Sequence, residues 1–279
     1  MISPANELLE ILDLEPIDAN LFRGQNDTVH RQRLFGGQVL AQAIAAANKT
    51  VDSERLCHSA HGYFLRPGRP EMPVLYRIER IRDGRSFTTR RIVALQNGEA
   101  IFSMDASFQV LESGLEHQIA APDLPAPEDL RDDVVVMKER GVTHPWALRD
   151  RPFECRSIAQ LDDAEKNRHD NPVWIKFRET APKPASEQQQ LLAYASDMGF
   201  VGTSFLPHQK EENRDHLQMA SLDHALWFHT DPDLSDWQLF YRECTNTEAA
   251  RGFIRGEFYD RQGRLVASAM QEGLIRVRN

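Results

Sequence analysis

The fold is decided by two stretches, Ser86 to Met104 (SFTTRRIVALQNGEAIFSM) and Gly252 to Met270 (GFIRGEFYDRQGRLVASAM). Each is a β-rich run, a short turn around a glycine (Gln96-Asn97-Gly98; Arg261-Gln262-Gly263) and a second apolar run (Ala100 to Met104; Leu265 to Met270). That is a hairpin signal. The same plan lies upstream of each, where Leu40-Ala41-Gln42-Ala43-Ile44-Ala45 corresponds to Leu192-Ala193-Tyr194-Ala195-Ser196-Asp197. Three correspondences in one order read as an internal duplication, with one copy before about residue 110 and the other after about residue 150.

The periodicity extends this plan. Leu34, Val39, Leu40, Ala43, Ile44 and Ala47 give a helix over 34–49, and its other faces hold Gly36, Gly37, Ala41, Ala45 and Ala46. A helix small and apolar nearly all round is expected to be buried. Strands are predicted at 57–65, 73–82, 85–96 and 99–110. Residues 111–150, with Pro122, Pro125 and Pro127 among acids and a short apolar patch Val134-Val135-Val136-Met137, read as a connection between domains. Runs at Phe153–Ile158 and Val173–Arg178 open the second half. A helix then starts at Ser186, which with Gln189 has capping-box spacing. Strands follow near 219–228, 237–246, 252–260 and 265–277. The expectation is an α+β double hot-dog, with two antiparallel sheets each wrapped around a long central helix: residues 1–112, a linker 113–150, and residues 151–279.

Composition limits the function. The 279 residues carry 33 basic and 42 acidic side chains, a net charge of −9, and 41% hydrophobic residues. That balance argues against a nucleic-acid partner while leaving room for a local basic pocket, and the apolar fraction suffices for a core. Cys57, Cys155 and Cys244 are odd in number and far apart, as expected of reduced, buried thiols in a cytoplasmic setting. No apolar run approaches the roughly 20 residues of a membrane helix. The N-terminus lacks a signal-peptide pattern, and the ending Arg276-Val277-Arg278-Asn279 is no peroxisomal address.

Several polar residues interrupt apolar patterns. Asp197 sits in the helical stretch Leu191–Val201, where it is either a solvated acid at a helix end before Gly199 or a buried carboxylate able to hold and deprotonate a water. Gln271 follows Leu265, Ala267 and Ala269 on one strand face, so its amide needs a partner there. Ser221-Leu222-Asp223-His224 invites a Ser–His–Asp reading. The chain has no Gly-x-Ser-x-Gly elbow, and strand alternation would send Ser221 and His224 to opposite faces; a structural polar cluster is the expectation for Asp223 and His224. Cys57-His58-x-x-His61 fits no zinc spacing, so no metal is expected. Gly36-Gly37 at a helix start could present amides to an anion or a carbonyl oxygen.

These segments together resemble the acyl-CoA thioesterase II family over nearly the whole chain. The resemblance is carried by Leu34 to Ala43 (LFGGQVLAQA), His58 to Gly68 (HSAHGYFLRPG), Tyr194 to Asp197 (YASD), Ser221 to His229 (SLDHALWFH), and Ala250 to Phe253 through Gln271 to Gly273. It implies a double hot-dog hydrolysing acyl-CoA to a free acid and CoA, without cofactor or metal. The family's catalytic Asp, Thr or Ser, and Gln fall on Asp197, Ser221 and Gln271, with serine where some members carry threonine. The three would hold the attacking water, and backbone amides near a helix start would stabilise the oxyanion. Gly36, Gly37, His61, Arg85 and Arg251 are candidates for binding substrate, with Arg90, Arg91 and Arg255 as further cations for CoA phosphates. Ala45 stands in the first copy where Asp197 stands in the second, so one active site per duplicated unit is expected, in a homodimer or homotetramer. Two rivals remain at this point: a hot-dog enoyl-CoA hydratase or dehydratase using Asp223 and His224, and a non-catalytic acyl-CoA-binding protein.

Overall fold

The structure, a computed structural model, describes residues 2–28, 32–143, 148, 150–161 and 168–278. In chain order its first half comprises α1 (Pro4–Leu12), β1 (Glu15–Asp18), β2 (Leu21–Gly24), α2 (Gly36–Asn48), β3 (Arg55–Phe64), β4 (Val74–Asp83), β5 (Phe87–Gln96) and β6 (Glu99–Val110). The connection holds α3 (Asp133–Glu139). The second half comprises β7 (Phe153–Ser157), β8 (Val173–Phe177), α4 (Ala185–Ser196), a single turn α5 (Phe200–Thr203), β9 (Leu217–Ser221), β10 (Asp223–Phe228), β11 (Gln238–Glu248), β12 (Arg251–Tyr259) and β13 (Leu265–Val277).

The duplication is visible in the pairing. β5 and β6 form one hairpin with Ala94 opposite Phe102, and β12 and β13 form the other with Phe258 opposite Ala267. Each half wraps its strands around one long helix. The two half-sheets then join edge to edge, because β3 pairs antiparallel with β10, His61 opposite Ala225. The result is one 13-stranded sheet, in the order β1-β2-β4-β5-β6-β3-β10-β13-β12-β11-β8-β7, with β9 also on β13. Joining the half-sheets at β3 and β10 removes two open edges, the usual liability of a sheet.

The central helices are as buried as their composition requires. In α2 every residue from Gly37 to Ala47 is buried, and in α4 every residue from Gln188 to Ser196. The start of α2 meets the end of α4: a β-carbon on Gly37 would lie 2.5 Å from the Tyr194 carbonyl oxygen. A glycine here is what permits the backbones to approach so closely. The two buried glutamines inside α2 are hydrogen-bonded, as burial demands. Gln42 Nε2 donates to Ile11 O and Gln25 O, each at 2.7 Å, and its Oε1 accepts from Tyr76 OH at 2.7 Å.

Two sequence expectations need correction. The capping box at Ser186 does not form. Helix α4 begins one residue earlier behind Pro184, and Gln189 instead donates to the buried Cys57 carbonyl at 2.8 Å, beside a bulge in β3. The strand at 219–228 is broken at Leu222. Ser221 pairs with Gly273 and Ala225 with Met270, so the register on β13 slips by one residue across the break. The described part of the connection between the halves packs on the second half. Trp174 Nε1 donates to Pro125 O at 2.9 Å, Gln118 Nε2 to Gly263 O at 2.8 Å, and Leu124 and Leu130 pack with Trp174, Trp237 and Tyr259. It covers a face that the second half would otherwise leave wet. The three cysteines are unbridged and buried. Among the described residues no helix is long and apolar enough to cross a membrane.

Candidate active site

Asp197 is the residue that ends α4. It occupies the C-cap with Gly199 two residues on at φ +69°, the left-handed turn that stops the helix. It is nevertheless only 7% exposed, which selects the buried reading. Gln271 Nε2 donates to its Oδ1 at 2.8 Å, and the Ser221 hydroxyl and the Gly37 amide also hydrogen-bond the carboxylate. Burial pushes its pKa up to about 6, against the lowering effect of Gln271, Gly37, Ser221 and the charge of Arg33. A carboxylate poised there suits proton transfer near neutral pH.

The break at Leu222 brings the rest together. With the register slipped, Ser221 turns toward Asp197, and His224 reaches the same cluster. The expectation that Ser221 and His224 take opposite faces is therefore overturned. His224 is 1% exposed, and its Nδ1 lies 3.9 Å from Asp197 Oδ1 and 3.2 Å from Gln271 Nε2. Its Nε2 is 2.9 Å from Ser196 Oγ, which donates to Ala193 O at 2.8 Å. Burial pulls the imidazole pKa down to about 3, so the ring is neutral. Both of its nitrogens are occupied, and neither by Ser221. Asp223 is spent on structure, since its Oδ1 accepts from the Glu272 amide at 2.6 Å.

The Gln271 side chain is 1% exposed, and its Oε1 has no hydrogen-bond partner among the described residues. Such an acceptor is costly to bury unless a ligand or water uses it. The cluster opens on a cavity of about 1040 Å³ lined by Gly36, Asp197 and Ser221, at the upper end of ordinary ligand pockets. One arm is apolar, with Leu8, Ile11, Leu34, Val39 and Phe102. Three exposed arginines that sequence reasoning did not single out, Arg33, Arg66 and Arg214, also line it. No periodicity distinguishes them, because none lies in a strand or an α-helix. Helix α1, likewise missed, supplies Leu8 and Ile11. Its signals were Ser3 as N-cap, Pro4 at the first position, and the spacing Leu8, Ile11, Leu12.

The other binding candidates fall elsewhere. Gly36 lines the cavity, where an added β-carbon would lie 2.7 Å from Asp197 Oδ2, and Gly37 spends its amide on Asp197. His61 is exposed on the sheet and packs edge-on against Trp227 at 4.7 Å. Arg85 is exposed between β4 and β5, and Arg251 pairs with Glu272 at 2.8 Å. None of these three lines the cavity. Arg91 pairs with Asp105, Arg255 with Glu243, and Arg90 is a buried strut bonded to Thr50 and Asp83. Ala45 lies inside α2, whose C-cap is Lys49, whereas Asp197 is itself the C-cap of α4. Lys49 is paired with Asp13 at 3.1 Å. No group of three or more potential metal ligands occurs among the described residues.

Comparison with known proteins agrees with this architecture. Residues 24–109 match the acyl-CoA thioesterase N-terminal domain and residues 151–274 the acyl-CoA thioesterase family. The chain is 37% identical to acyl-CoA thioesterase 2 of Haemophilus influenzae over 97% of each chain. It is 36% identical to human acyl-coenzyme A thioesterase 8, over 96% of this chain and 88% of that protein. The crystal structure of acyl-CoA thioesterase II TesB2 from Mycobacterium marinum superposes with a TM-score of 0.83 at 36% identity, covering 98% of this chain and 99% of that one. Two copies of one module, each matching a thioesterase model, and an end-to-end likeness to such relatives place this chain in the acyl-CoA thioesterase family.

Proposed function

We propose that the chain hydrolyses acyl-CoA to a free fatty acid and CoA by direct attack of a water held by Asp197, Ser221 and Gln271. The observation that supports this best is that Asp197 and Ser221 line the cavity while Gln271, bonded to Asp197 from behind, keeps Oε1 as a buried acceptor without a partner among the described residues. A water there would donate one proton toward Asp197 and the other toward Gln271 Oε1, leaving a lone pair for the thioester carbon. Asp197 takes the proton as the C–O bond forms, and collapse of the tetrahedral intermediate expels the CoA thiolate. The positive end of α2 faces the developing oxyanion. Arg33, Arg66 and Arg214 are exposed cations lining the cavity that would meet CoA phosphates, Arg66 by exchanging its ion pair with Glu99 at 3.2 Å, and the apolar arm would take the acyl chain. Residues 1–112 and 151–279 act as the two modules, joined by 113–150, in a cytoplasmic homodimer or homotetramer whose mass light scattering would measure.

The hydratase reading loses support from His224, whose nitrogens are taken by Gln271 and Ser196 and which is shut off from the cavity lining. A covalent serine loses support for the same reason, since His224 does not bond Ser221. The test is thiol release from acyl-CoA by Asp197→Asn. Loss on the order of 10³-fold in kcat with retained folding is expected. Activity within a few-fold of the parent would overturn the assignment. Tight acyl-CoA binding by the parent without any thiol release would favour a binding protein.

A further inference from the structure

His224 and Ser196 lie behind the site, and neither lines the cavity, yet both belong to a chain of hydrogen bonds that ends on Gln271. The direction of that chain follows from its far end. The Ser196 hydroxyl has one proton, and it goes to the Ala193 carbonyl at 2.8 Å. Ser196 Oγ must then accept from His224 Nε2 at 2.9 Å, which fixes the proton of the neutral ring on Nε2. His224 Nδ1 is left as an acceptor. Among the described residues, the group that meets it at hydrogen-bond distance is Gln271 Nε2, at 3.2 Å. The second proton of that amide goes to Asp197 Oδ1 at 2.8 Å. Both amide protons are thereby committed, and Oε1 is turned away from His224 and Asp197.

We propose that His224, set by Ser196, is a positioning residue that locks the Gln271 amide in the orientation presenting its carbonyl oxygen to the attacking water. This rests on the water-holding reading above. Asp197 alone does not secure that orientation. When its carboxyl is protonated it can donate to Oε1 of a flipped amide, and Nε2 would then point at the water and compete for its lone pair. A bare Nδ1 penalises that flip, because two acceptors would face each other. The imidazole is 1% exposed, with the Phe200 ring 5.6 Å from it and Ser196 of the last turn of α4 bonded to its Nε2.

The test is a double-mutant cycle between His224→Phe and Gln271→Ala, with Ser196→Ala as a second arm, reading steady-state thiol release from acyl-CoA together with thermal melting. Phenylalanine keeps the ring and its packing while removing both nitrogens. The expected result is a fall in kcat of about 10- to 100-fold for His224→Phe, with KM within about twofold, and a smaller fall of the same kind for Ser196→Ala. In the Gln271→Ala background neither change should lower kcat further by more than about twofold. Equal losses in both backgrounds would show that His224 acts independently of Gln271 and would overturn the inference while leaving the water-holding reading intact. Unchanged kcat in both His224→Phe and Ser196→Ala would overturn it as well. If Gln271→Ala itself keeps its kcat, the water-holding reading fails first, visibly and without any His224 variant. Should His224→Phe not fold, the Ser196→Ala cycle decides alone.

Discussion

At Asp197 burial opposes three hydrogen bonds and one positive charge, and burial prevails, holding the pKa at about 6. The consequence for rate is direct. A base must be ionised to accept the water's proton, so the active fraction falls about tenfold for each pH unit below that value. We expect log kcat/KM for thiol release to be level above pH 6 and to descend with unit slope below it. His224 does not contribute to this limb, since its pKa of about 3 lies well under it. Arg33 is the one cation among the causes of the Asp197 shift, so Arg33→Gln should move the limb to higher pH, read in the same profile. A limb near pH 4, as for an ordinary solvated aspartate, would contradict the buried site.

At the scale of elements, the site exists because two helices meet end to start and one strand breaks. The helices were legible. The small-residue runs at 34–49 and after residue 186 return as α2 and α4 within a few residues, because a helix buried on all sides has a composition that exposed helices lack. The strands of both hairpins were legible for the matching reason, period-two alternation around a glycine turn. The convergence of Ser221 and His224 was not legible. Alternation assumes an unbroken strand, and the slip at Leu222 is set by β13, which pairs with β9 and β10 in different registers. Nor was the fate of Gln189, drawn away from its cap by a carbonyl on a strand 132 residues distant in sequence. The meeting of α2 and α4 makes its own prediction. A β-carbon on Gly37 would press the Tyr194 backbone oxygen, and one on Gly36 would press Asp197 Oδ2 at 2.7 Å and Phe64 Cζ at 2.9 Å. Gly37→Ala must move helix backbone, so it should cost about 1–3 kcal/mol of stability. Gly36→Ala meets the ends of side chains, so it should lose thiol release out of proportion to its change in melting temperature. Equal effects of the two on melting would show that the helices do not meet as described.

Across the whole molecule, the same burial that tunes the site sets how stability depends on pH. Asp197 has a raised pKa, so between about pH 3.8 and 6 the native state holds a proton that the unfolded chain has released. Stability from this group therefore falls as pH rises through that window, by about 3 kcal/mol in all. His224 has a lowered pKa, so between about pH 3 and 6.5 the unfolded chain holds the extra proton. Its contribution runs the other way: stability is complete above pH 6.5 and is lost as pH falls toward 3. Where the windows overlap the two slopes oppose each other. Removing one partner should uncover the other. Measured by denaturant unfolding, Asp197→Asn should be more stable than the parent by up to about 3 kcal/mol above pH 6, and the difference should vanish toward pH 4. His224→Phe should gain relative to the parent as pH drops from 6.5. An Asp197→Asn variant that is inactive yet more stable at neutral pH would show that the native charge there is held against the folding free energy for the sake of the reaction. A variant equally inactive but less stable at every pH would mean that Asp197 supports the junction of α2 and α4 more than it strains it.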